Sequence, residues 1–255
     1  MSAFVCKSDA RGRHNFELLK KLVLPDGSFL RARLPGRPTR DFLFTDPARD
    51  GVSLLKIWNM NKYAGVLGVY NCQGAAWNRA ARKNIFHQTN TDSISGNVKG
   101  CDVHLISEAL LDPEWPSDCV VYSHRTGELI TLPYDASMPV SLKVLENEIF
   151  TLTPIKHLAP GFSFAPSACE SSGLVHARME NSSNELVGIC MEIKGCGNFG
   201  AYSSAKPRKC TVGSSKVEFD YDSSPGLLKF DLGRMPEKGQ KDHVVKLSYE
   251  LNVAE

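Results

Sequence analysis

From about Ser53 onward, apolar residues recur at every second position in short runs separated by turn residues. Val140, Leu142 and Val144 alternate with Ser141 and Lys143, and Val217, Phe219 and Tyr221 alternate with Lys216, Glu218 and Asp220. Leu228, Phe230 and Leu232 repeat the pattern, as do Val245, Leu247, Tyr249 and Leu251. A period of two puts one face on a core and the other in water, the habit of antiparallel sheets. Other runs are more continuously apolar. Leu54–Asn59 and Val66–Tyr70 flank a turn at Asn61–Gly65, and Val120–Ser123 and Glu128–Leu132 flank one around Arg125, Thr126 and Gly127. Ile149–Thr153 ends at Pro154, Leu186–Lys194 reads as a long strand, and Ser223-Ser224-Pro225-Gly226 reads as a turn. So many short strands joined by turns predict a two-sheet β-sandwich. The first fifty residues differ. Phe16, Leu18, Leu19, Leu22 and Val23 fall at helical spacing, Pro25-Asp26-Gly27 ends that run, and a basic segment from Arg31 to Arg40 follows.

Composition narrows the function classes. The 255 residues carry a net charge of +2, which makes no electrostatic case for nucleic acid or an anionic membrane. No apolar run reaches the roughly 18–20 residues of a membrane span. The start, MSAFVCKSDARGRHN, has no apolar stretch of signal-peptide length, so a cytoplasmic location is expected. Eight cysteines at wide, irregular spacing, without a Cys-x-x-Cys pair, predict free thiols. The histidines and cysteines form no zinc spacing, so neither a metal nor a cofactor is expected.

Several motifs carry candidate chemistry. Gly195-Cys196-Gly197-Asn198-Phe199-Gly200 spells G-x-G-x-x-G after a predicted strand, but a proline and no helical period follow it. A bend between strands is therefore expected there in place of a dinucleotide site. Of the three tryptophans, Trp58 lies within a predicted strand and is expected in the core. Trp77 and Trp115 stand beside loop signals, where an aromatic face suits the C–H face of a pyranose. Asp41, Asp46, Asp50, Asp92, Asp102 and Glu108 are read as solvated or turn-capping, since spacing alone pairs none of them. Asp9 follows a short apolar run and precedes the helix at Phe16. In a strand–loop–helix order it stands where a βα-barrel presents ligand-binding groups, with a helix-entry or turn role as the competing reading.

The motifs also resemble a known family. Arg37-Pro38-Thr39-Arg40-Asp41, Asp46-Pro47-Ala48-Arg49-Asp50-Gly51, Leu54-Leu55-Lys56-Ile57-Trp58-Asn59 and Asn71-Cys72-Gln73-Gly74 resemble the raffinose synthase group of plant α-galactosyl enzymes. Arg82-Lys83-Asn84-Ile85-Phe86-His87-Gln88 is similar to its seed-imbibition branch, and Phe164-Ala165-Pro166 and Lys194–Ser204 fit as well. The resemblance implies a relative of glycoside hydrolase family 36, with a catalytic (β/α)8 barrel followed by a C-terminal β-sandwich. It implies galactosyl transfer from galactinol to sucrose, giving raffinose, by a retaining mechanism with two aspartates. It further implies that residues 1–45 are the end of the barrel, its last strand and helix, and that 46–255 form the sandwich. Both family catalytic aspartates come from earlier barrel strands and have no counterpart here, so no catalytic residue is carried over. Asp9 resembles the acid at the end of the last barrel strand. Two other readings stand beside this one: an alkaline α-galactosidase relative, and a non-catalytic sugar-binding sandwich built around Trp77 and Trp115.

Overall fold

A computed structural model describes residues 32–86, 93–109, 118–133, 135–167, 172–181, 186–233 and 242–250. The chain is mainly β, and most of its strand pairs are antiparallel among the described residues. It divides into two compact units, one formed by Leu34–Met60 and Ala64–Leu152, the other mainly by Thr153–Glu255 with Asn61–Tyr63.

The first unit contains β1 (Arg37–Pro38), β2 (Leu55–Met60), β3 (Gly65–Tyr70), β4 (Ala75–Asn78), β5 (Lys83–Phe86), β6 (Ser93–Val98), β7 (Cys119–Ser123), β8 (Leu129–Leu132), β9 (Met138–Lys143) and most of β10 (Asn147–Pro154). Six of these form a sheet in the order β1-β2-β3-β10-β7-β8, while β6 pairs with β9 and β4 with β5. Trp58, Met60, Leu67, Val69, Phe150, Leu152 and Val121 from the large sheet share one core with Ile94, Val98 and Leu142 from the β6–β9 pair. Burying such side chains stabilises the fold by roughly 1.5–3 kcal/mol each. The expected strand–turn–strand from Leu54 to Tyr70 is present as β2 and β3, in register from Leu55↔Tyr70 to Met60↔Gly65. Trp58 is 1% exposed and belongs to the core, as its strand position predicts.

The second unit is a sandwich of two five-stranded sheets. The strands are β11 (Lys156–Ala159), β12 (Phe162–Ser167), β13 (Ser172–Asn181), β14 (Leu186–Gly195), β15 (Asn198–Ser203), β16 (Lys209–Val212), β17 (Ser215–Lys216), β18 (Phe219–Asp222), β19 (Leu227–Asp231) and β20 (His243–Glu250). One sheet runs β11-β12-β15-β19-β18 and the other β13-β14-β20-β16-β17. Alternation sets the facing layers. Val187, Ile189, Met191 and Ile193 of β14 and Val245, Leu247 and Tyr249 of β20 are buried with Phe162, Phe164, Phe199, Leu228 and Phe230 from the opposite sheet. The G-x-G-x-x-G stretch is a corner: β14 ends in one sheet and β15 begins in the other. Gly195 and Gly197 take φ values of 121° and 80° there, which side chains resist. No helix follows, which removes the geometry of a dinucleotide site. Two details of the alternation differ from the expectation: Val144 falls beyond the end of β9, and Val217 falls between β17 and β18. The predicted helix around Phe16–Val23, Asp9 and Trp115 lie outside the described residues.

Candidate functional site

The first unit holds a half-open cavity of about 700 Å³, lined by residues of β2, β3, β6, β9, the 3-10 turn Arg40–Phe42 and the segment from Lys99 to Ser107. Its chemistry follows from one inward-facing cation. Along β2 the residues Lys56, Trp58 and Met60 share a strand face, and all three are buried. A buried ammonium needs partners, because an unpaired charge in a poorly solvated site costs several kcal/mol. Lys56 Nζ donates to Asp102 Oδ1 and Oδ2, both at 3.0 Å, and to the carbonyl of Asn97 at 3.2 Å. It also lies 2.6 Å from Asp41 Oδ2.

Local structure delivers both acids. Asp102 closes the 3-10 turn Gly100–Asp102, where its Oδ2 accepts from the Lys99 backbone N–H at 3.0 Å. Thr39 N–H donates to the Lys56 carbonyl, at 3.1 Å, and so docks the Arg40–Phe42 turn on β2 with Asp41 over the ammonium. Burial pushes the Asp102 carboxyl above its ordinary range, against the opposing pull of Lys56. Asp41 lies nearer solvent. Its burial also acts upward, but the hydrogen bond and charge of Lys56 help to bring it below the ordinary value. The two carboxylates that spacing could not pair therefore meet here. Because a single ammonium stands between them, the arrangement supplies fixed charge and hydrogen bonding at the cavity floor. Asp102 does cap a turn, as expected, yet it is also a buried ion-pair partner, a role that its sequence context does not signal.

Beside the cavity, two of the motifs that carried the family resemblance lock together. Gln73, 1% exposed, donates through Nε2 to Asp50 Oδ1 at 2.7 Å and to the Ser53 carbonyl at 3.3 Å, and its Oε1 accepts from Gly51 N–H at 3.0 Å. Gly74 N–H donates to the Ala48 carbonyl at 2.8 Å. Asn71 donates through Nδ2 to the Leu142 carbonyl at 2.9 Å. Asp46 caps Ala48 N–H, and Asp50 caps Val52 and Ser53 N–H. For Asp50, the upward effect of burial is outweighed by the bonds from Ser53, Val52 and Gln73, which bring its carboxyl down to about 2. A folded-state value below the ordinary 3.8 means stability that is present above about pH 4 and lost as pH falls toward 2. We expect urea midpoints to drop over that window and Asp50→Asn to flatten part of the drop. The effect is small, because Asp50 is an exposed group screened by solvent.

Of the other expected site residues, Trp77 lies in β4 opposite Asn84, is 57% exposed and does not line the cavity. Among the described residues, Cys72, Cys101, Cys119, Cys190, Cys196 and Cys210 are free thiols. Burial pushes the Cys119 thiol up to about 12, so it is unreactive at neutral pH. No group of three or more metal-ligating side chains and no helix long and apolar enough to cross a membrane occur among the described residues.

Comparison with known proteins gives these features a context. Probable galactinol–sucrose galactosyltransferase 6 of Arabidopsis thaliana is 60% identical over 250 residues, which cover 94% of this chain and 32% of that protein. Probable galactinol–sucrose galactosyltransferase 1 of the same plant is 46% identical over 237 residues, covering 91% of this chain and 31% of that protein. Stachyose synthase of Pisum sativum is 34% identical over 220 residues, covering 84% of this chain and 25% of that protein. The chain thus spans about a third of the length of these two galactosyltransferase relatives. The family model described as raffinose synthase or seed imbibition protein Sip1 matches residues 2–232, most of the chain, and the chain belongs to that family.

Proposed function

We propose that this chain is the C-terminal portion of a retaining galactosyltransferase of the glycoside hydrolase family 36 type, which moves galactose from galactinol to sucrose in the cytoplasm. The observation that carries this reading is the 60% identity to a protein named as a probable galactinol–sucrose galactosyltransferase, over 94% of this chain but only 32% of that protein. In the whole enzyme one aspartate attacks the anomeric carbon while a second protonates the departing inositol. The sucrose hydroxyl then resolves the galactosyl-enzyme. On this reading both aspartates belong to barrel strands absent from this chain. Residues 1–45 are the tail of that barrel, with Asp9 on its substrate side, and 46–255 are the β-sandwich region. The isolated chain is then inactive. Incubating it with galactinol and sucrose should yield no raffinose, whereas a full-length relative should yield it. Raffinose formation by the chain alone, abolished by a single Asp substitution, would overturn the assignment of the chemistry to other segments. An α-galactosidase relative would instead release free galactose from raffinose in the full-length assay.

A second reading, a sugar-binding sandwich without catalysis, draws on the exposed Trp77. Fluorescence titration of Trp77→Phe against the parent chain with raffinose tests it. Equal quenching in both would remove Trp77 from sugar contact.

A further inference from the structure

We propose that the cavity bounded by Lys56, Asp102 and Asp41 is a non-catalytic binding site for a polyhydroxylated ligand of mono- to trisaccharide size, separate from the exposed Trp77 face. Its volume of about 700 Å³ lies inside the span of about 300–1,000 Å³ typical of small-molecule sites. Its floor is preorganised. Lys56 is held by both acids and the Asn97 carbonyl, and Asp102 is held by Lys56 and the Lys99 N–H. No side chain there has to be ordered when a ligand enters, which removes one entropic cost of binding.

The lining above this floor matches hydroxyl chemistry. Arg40, Asn97 and Ser107 are among the residues that line the cavity, and their side chains carry a guanidinium, an amide and a hydroxyl. Asp41, whose Oδ2 contacts Lys56, is 58% exposed and also lines the cavity, adding a carboxylate to its wall. The lining residues thus include both donor-bearing and acceptor-bearing side chains, the complement of a ligand whose every hydroxyl is both. Phe42, Val52 and Val140 add an apolar strip suited to the C–H face of a ring. A compact anion is less well matched, because Asp41 and Asp102 line the cavity beside Arg40, Lys56 and Lys99 and offset most of their positive charge. The choice of sugars among polyhydroxylated molecules rests on the galactosyltransferase reading; the site itself rests on the geometry.

Calorimetric titration of the whole chain with sucrose, raffinose and galactinol, and with inorganic phosphate as the contrasting probe, tests the proposal. At least one sugar should bind in the millimolar range or tighter. Ser107→Trp, which fills the cavity, and Asn97→Ala, which removes the amide and keeps the carbonyl that Lys56 uses, should each weaken binding about tenfold or more. Met179→Ala, at an exposed residue of the second unit, should leave it unchanged. Urea curves on each variant establish that it is folded. No heat with any sugar, binding of phosphate alone, or sugar binding indifferent to both cavity variants would overturn the proposal. Turnover by a full-length relative is scored separately: turnover without binding here sinks the cavity site alone, and binding here without turnover sinks only the transferase reading.

Discussion

Asp102→Ala lowers the unfolding free energy of the first unit by about 3 kcal/mol, read as a fall in the urea midpoint with little change in slope. The size follows from what remains. Lys56 stays inward on β2, its side chain 9% exposed, with Asp102 gone and only Asp41 and one carbonyl beside it. Losing one member of a buried pair costs about 3–5 kcal/mol, and the surviving Asp41 contact places this case at the lower end. The reverse deletion behaves differently. In Lys56→Met the stranded group is a carboxyl that can take up a proton, and burial already biases Asp102 toward the protonated form. Its folded-state value then lies further above the ordinary 3.8, so the variant keeps its stability at acid pH and loses it as pH rises through the raised value. The cost of Lys56→Met should grow with pH, and Lys56→Met/Asp102→Leu should recover most of the loss. A single-mutant cost of Asp102→Ala below about 1 kcal/mol would mean that the pair is solvated, and would remove the buried-charge account of the cavity floor.

Periodicity made the second unit legible. In β19 and β20 the positions that alternate in the sequence are those that alternate in the structure, with Leu228 and Phe230, and Val245, Leu247 and Tyr249, turned inward. Each of those strands has one face on the core, the condition under which a period of two can be read. The same signal is silent for β6, Ser93–Val98, whose Ser-Ile-Ser-Gly-Asn-Val offers two buried apolar side chains and takes its place by pairing with β9. It is misleading at β2, where a lysine occupies an inward position. Nothing local identifies Asp102 as its partner, since the two are 46 residues apart and meet only through the 3-10 turn at Gly100. The Gln73–Asp50 clasp has the same character. Both residues stood within motifs that marked the family, yet their contact spans 23 positions and depends on side-chain amide geometry that no periodicity encodes. Strand content was thus readable from local alternation. The polar constellations that shape the cavity depend on long-range pairing.

Phe199→Ala should cost about 3–5 kcal/mol in the second unit, the range for emptying a large aromatic from a close-packed core. Phe199 is fully buried, and its ring lies 5.4 Å from that of Phe230, tilted by 39°. The two are direct cross-strand partners on β15 and β19, and Phe230 is in turn the partner of Phe219 on β18. A row of three phenylalanines therefore crosses the sheet beneath β14 and β20, with its exposure falling from Phe219 to Phe199. That gradient sets the order of effects. Phe219 is half-buried at the edge strand, where a truncation leaves an opening that water can fill and a smaller transfer loss, so Phe219→Ala should cost about half as much as Phe199→Ala. Phe199→Leu keeps most of the volume and should cost roughly 1.5 kcal/mol or less. Urea unfolding of the three variants checks the ranking. Equal costs for Phe199→Ala and Phe219→Ala would show that the sheet collapses around the deletion, which a rigid row under the paired strands β14 and β20 does not allow. β15 begins at the Gly195–Gly197 corner, and Phe199 is its first buried side chain. The same residue that fills the core also fixes where the chain crosses from one sheet to the other.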